Sequence, residues 1–94
     1  HGIMINVPAP GRFAIHKCVV SQKRPAAYAA KALKDRSQAE QLFQVLLENR
    51  PTDISLAYDA AKDQGEAFIS DFRAGLRLID EDLANAVIER IGNG

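Results

Sequence analysis

Hydrophobic positions in this chain recur mostly at helical spacing, and after Gly11 they form five amphipathic segments separated by proline, glycine or a capping acid. The first, Arg12 to Gln22, is apolar around most of its circumference through Phe13, Ala14, Ile15, Cys18, Val19 and Val20. A helix of that kind is buried on several sides. Its exception is a narrow stripe of Lys17, Ser21 and Arg24, whose spacings of four and three point them the same way. Pro25 ends the segment at or before Arg24, because the residue preceding proline is pushed out of helical geometry.

Pro25 also suits a helix start, and the alanine-rich AAYAAKAL that follows predicts a second helix running through Lys34 to Glu48. Leu33, Ala39, Leu42, Phe43, Leu46 and Leu47 make its apolar face, with Lys34, Ser37, Gln41, Gln44 and Glu48 opposite. Asp35 falls inside the apolar face, where an ionised carboxylate costs several kcal/mol unless it is paired. Lys31, one turn earlier, or Lys17 and Arg24 across a helix contact are the available partners. These positions predict one polar constellation of His16, Lys17, Arg24, Lys34 and Asp35 between the two helices.

Arg50, Pro51 and Thr52 interrupt the pattern, with Thr52 as the expected N-cap and Asp53 as a favourable first-turn acid. The third helix places Ile54, Ala57, Tyr58 and Ala61 on one face and stops near Gly65. The fourth places Phe68, Ile69, Phe72, Leu76 and Ile79 together, with Arg73 and Arg77 outside as solvated charges. Asp80 is the expected cap of a fifth helix bearing Leu83, Ala84, Val87, Ile88 and Ile91, which Gly92 terminates. Nothing in LIDEDL forbids the fourth and fifth helices from running together. At the other end, Ile3 to Val7 is apolar at four of five positions and closed by Pro8, so it predicts a short strand or arm over residues 1–8. Pro8 to Gly11 then forms a rigid turn into the bundle, which occupies residues 9–92.

Composition sharpens this picture in two places. Lysine and arginine total 12 and balance 12 acids, yet residues 1–36 hold seven basic side chains against one acid and residues 37–94 hold five against eleven. Halves of net +6 and −6 indicate an anion-facing side, or two halves that complement each other within the fold. The single cysteine excludes an intrachain disulfide, and no apolar run resembles a signal peptide or membrane span. A soluble cytoplasmic protein of one domain is the expectation.

The runs VPAPGRFAIHKCVVSQKR and KALKDRSQAEQLFQVLLENRP resemble the carboxy-terminal part of bacterial polymerase-beta-like nucleotidyltransferases, whose relatives include nucleotidyltransferase-type toxins. The resemblance lies in Val7, Pro8 and Pro10, then His16, Lys17, Arg24, Lys34 and Asp35 in that order, and extends through RPTDI and QGEAF. It departs at Gly11, Cys18 and Arg36, where glutamate, leucine and an apolar residue are expected, and no departure removes a charge. The resemblance implies that the short strand closes an upstream α/β sheet, and that this amino-terminal catalytic domain holds nucleoside triphosphate and magnesium. Its Gly-Ser pair and metal-binding carboxylates are absent from these residues, which by themselves are expected to be inactive. It also implies transfer of a nucleoside monophosphate to an acceptor, with Lys17, Arg24 and Lys34 as contacts to the nucleotide phosphates.

Each candidate has a structural alternative. Lys17 can serve only to pair Asp35; Asp35 is expected to be an ion-pair acceptor rather than a metal ligand, since no other carboxylates are supplied for a two-metal site. His16 reads more readily as a core histidine than as a catalytic one, and Cys18 as a small core residue than as a nucleophile. Two non-enzymatic functions remain open at this stage: a helical module that binds nucleic-acid phosphates through its basic half, and a unit for dimerisation or protein association.

Overall fold

The computed structural model describes residues 9–92. The strand expected at Ile3 to Val7 lies outside them. The described residues form five α-helices, α1 (Pro10–Lys23), α2 (Ala29–Asn49), α3 (Pro51–Lys62), α4 (Glu66–Leu76) and α5 (Glu81–Ile91), with a single 3-10 turn among them at Ala26–Tyr28. The protein is thus a mainly α bundle.

The most apolar segment became the central helix. α1 packs against α2, α3 and α4, while α5 closes the opposite side against α3 and α2. α1 begins at Pro10, two residues earlier than the pattern predicts, because a proline in the first turn gives up no intrahelical hydrogen bond. Ala14, Ile15, Cys18 and Val19 on α1 are almost wholly buried. They meet Phe43 and Leu46 of α2, Ile54, Ala57 and Tyr58 of α3, Phe72 and Leu76 of α4 and Val87 of α5 in one core. Within it the Phe72 ring lies 6.4 Å from Phe43 and 5.8 Å from Tyr58, tilted to both, so one aromatic side chain of α4 joins α2 to α3.

So central a helix needs close neighbours, and glycine permits them at two crossings. A Cβ on Gly11 would stand 2.8 Å from the carbonyl oxygen of Asp53 on α3 and 3.0 Å from the Ala57 Cβ. A Cβ on Gly75 of α4 would stand 2.5 Å from the carbonyl oxygen of Cys18. Glutamate at position 11 could not be accommodated in this packing.

Several local expectations are corrected. The α-helical part of the second segment starts at Ala29, not Pro25, because the chain first makes the 3-10 turn. Leu33 is 61% exposed, and Ala32 takes the buried position. Thr52 is exposed inside α3; the helix starts at Pro51, with Arg50 in the cap position and no side-chain cap bond. α4 and α5 are separate helices, and Asp80 caps α5 as expected, its Oδ2 accepting from the Leu83 N–H at 3.1 Å. Two cross-links hold α5: Glu40 accepts from the Asp80 N–H at 2.8 Å, and the Ser55 hydroxyl donates to the Arg90 carbonyl at 2.8 Å.

Cys18 behaves as core. Burial pushes its thiol up to about 12, a smaller pull from Arg36 acting the other way and Glu40 reinforcing the rise. Thiolate is the reactive form, so the native protein should not react with a disulfide reagent at pH 8 until it unfolds. Reaction as fast as that of a free thiol in native buffer would contradict the burial described.

Candidate functional site

Asp35 is placed one turn before Ala39 on the buried face of α2 and is 3% exposed. Both of its oxygens are occupied. Lys17 Nζ donates to Oδ1 at 3.2 Å and Arg24 Nε donates to Oδ2 at 2.9 Å, with the lysine side chain 21% and the arginine 32% exposed. Lys17 reaches the carboxylate from α1, its ammonium also lying 5.3 Å from the Phe13 ring centroid. Arg24 reaches it because it has left the helix: it is the C-cap of α1 with φ −68° and ψ 132°, the extended conformation that Pro25 imposes. A local sequence rule thus decides where a guanidinium points.

Electrostatically the cluster carries two positive charges against one negative. Burial raises the Asp35 carboxyl pKa, but the hydrogen bonds from Arg24 and Lys17, together with their charges, outweigh it and hold the group below its ordinary value. The carboxylate therefore stays ionised at neutral pH and fixes both cations.

The rest of the predicted constellation separates. Ser21, on the same stripe, donates instead to the Cys18 carbonyl at 2.7 Å. Lys31 lies over the Tyr28 ring at 5.0 Å rather than on Asp35. Lys34 is exposed one residue away from the buried face of α2. His16 is also exposed and not a core residue: it lines a groove with Arg12, Ile15, Ala57, Ala60, Ala61, Gln64 and Phe68, on the side of α1 that faces α3 and α4. Adjacent residues on a helix differ by about 100° in direction, so His16 and Lys17 serve different faces. The sequence reading missed this groove, although Arg12 and His16 at a spacing of four were its signal. Arg73, expected as a solvated charge, is instead half-buried and donates to the Tyr58 hydroxyl at 2.8 Å.

These residues do not fit a metal centre. Among the described residues no three His, Cys, Asp or Glu side chains cluster, and both Asp35 oxygens already accept from cations.

A family described as Nucleotidyltransferase matches residues 1–63, which takes in α1, α2 and α3, and the chain belongs to that family. No curated protein and no solved structure matches it. Among the described residues no helix is long and apolar enough to cross a membrane.

Proposed function

We propose that these helices are the phosphate-facing part of a nucleotidyltransferase that moves a nucleoside monophosphate from a nucleoside triphosphate to an acceptor. In that reaction an acceptor oxygen bonds to the α-phosphorus as the bond to pyrophosphate breaks, and negative charge accumulates on the phosphate oxygens. The observation that supports this reading, beside the family, is the buried Asp35 holding Lys17 and Arg24 with one positive charge in excess. Cations fixed in advance stabilise developing charge without reorganising as it forms. Their partial exposure leaves both within reach of a ligand, and Lys34 adds a solvent-exposed ammonium on α2. Magnesium and the reacting groups would be held by an amino-terminal catalytic domain, so the helices alone would be inactive.

The test is triphosphate binding with magnesium by the full natural protein, measured calorimetrically. Lys17→Ala should weaken binding by about 1.5 kcal/mol, roughly tenfold, because one charge-assisted contact is lost. Asp35 remains paired with Arg24 in that variant, so the fold should persist. Unchanged affinity in Lys17→Ala and in Arg24→Ala would restrict both cations to a structural role. Salt-dependent binding of nucleic acid, or a concentration-dependent mass, would then favour the binding-module or homodimer readings.

A further inference from the structure

The groove on the other face of α1 has the makings of a second site. It is about 400 Å³, within the range that small ligands occupy, and no acidic side chain lines it. Its floor is low because α3 presents Ala57, Ala60 and Ala61 beneath Ile15, where larger side chains would fill the space. Its polar groups converge from two elements. Arg12 and His16 stand one turn apart on α1, and Gln64 follows the end of α3. None of these three side chains has a hydrogen-bond or ion-pair partner among the described residues. Phe68, half-buried on α4, supplies an aromatic wall.

That combination specifies its ligand chemistry. A guanidinium and an imidazole side by side suit an anionic oxygen cluster, the guanidinium by paired N–H donors. An alanine floor beside a phenyl ring suits a flat apolar face, and a carboxamide can both donate and accept at the edge of a heterocycle. We infer that this groove binds a nucleoside monophosphate, its phosphate on Arg12 and His16 and its base between Phe68 and the alanine floor near Gln64. The site is separate from the Asp35 cluster, since Lys17 turns toward α2 while His16 faces α3 and α4. The family membership directs the choice of occupant, and the geometry does not depend on Lys17 contacting phosphate.

Proton NMR of the intact protein titrated with AMP tests this directly. Loss of one set of imidazole signals in a His16→Gln variant assigns the His16 ring resonances. AMP should shift the His16 and Phe68 ring signals saturably; inorganic phosphate alone should shift His16, and adenosine alone should shift Phe68. Arg12→Ala should weaken AMP at least tenfold, and Ala60→Leu, which fills the groove from a half-exposed position, should abolish the shifts with thermal unfolding unchanged. Absence of AMP-induced shifts, or their persistence in Ala60→Leu, overturns the proposal. If Lys17→Ala keeps full triphosphate affinity while the AMP shifts remain, the Lys17 reading fails and the groove stands. The reverse pattern removes the groove alone.

Discussion

Removing both Lys17 and Arg24 should cost far more than the sum of removing each. With either cation present, Asp35 keeps a charged partner at 3.2 Å or better, and each single alanine variant should lose about 1 kcal/mol. With both gone, an ionised carboxylate that is 3% exposed has no counter-charge, a change of the class that destabilises by about 3 to 5 kcal/mol. The partial exposure of the cations places the singles at the low end, because water already screens part of each interaction. Chemical denaturation of the four proteins in the cycle gives the coupling. Additive losses would show that the triad is not one unit.

The same cycle has a pH signature. In the native protein the Asp35 carboxyl is held below its ordinary value, so its contribution is present above about pH 3.9 and is lost as pH falls through the lower folded value. In the double variant only burial remains, which raises the folded value. The penalty is then absent below about pH 3.9, grows as pH rises from there to the folded value, and is constant above it. The stability gap between the two proteins should therefore widen from acid to neutral pH. If the double variant does not fold at neutral pH, adding Asp35→Leu should restore folding, since an apolar side chain there needs no partner. Failure of that restoration would mean the cations support the fold in some way other than by neutralising Asp35.

Gly75→Val should destabilise by about 3 kcal/mol or more, as forced overpacking does. Gly75→Ala separates the opposing effects. Alanine in a helix interior gains about 1 kcal/mol over glycine. Its Cβ, however, would lie 2.5 Å from the Cys18 carbonyl oxygen and 3.0 Å from the carbonyl carbon, both backbone atoms of the central helix. A flexible side chain could give way; a helix backbone buried against three others cannot move without disturbing them all. The clash should win, with a net loss of about 2 kcal/mol by thermal or urea unfolding. A more stable Gly75→Ala protein would show that α4 can slide on α1, contrary to the close approach described.

Much of the fold was legible because it follows from local periodicity. The face of Ile54, Ala57, Tyr58 and Ala61 and the pair Phe72 and Leu76 are buried as their spacing predicts, Ile79 is buried from beyond the end of α4 rather than from its face, and the Asp80 cap and Gly92 stop fall where their chemistry requires. Misplaced details sit where local signals compete. Thr52 and Pro51 offer alternative helix starts, and the proline prevailed. Pro25 can open a helix, yet its own extended backbone delayed α2 until after a 3-10 turn. Leu33 and Ala32 are adjacent, so a small error in the helical phase exchanges the two.

For the candidate site, sequence alone determined that Asp35 must be paired, since its position inside an apolar face leaves no other way to keep it charged. It also determined that Pro25 would turn Arg24 out of the helix. Which cations answered Asp35 was a tertiary matter. Lys31 was near in sequence and Lys17 far, but the crossing of α1 and α2 brought Lys17 and Arg24 to the carboxylate and left Lys31 on Tyr28. Packing likewise assigned Lys17 to α2 and His16 to the α3–α4 side, and required glycine at position 75, where the sequence shows only a good helix with a poor helix former in it. Periodicity fixes which residues share a face of one helix; which helix meets that face, and how closely, depends on contacts between residues far apart in the chain.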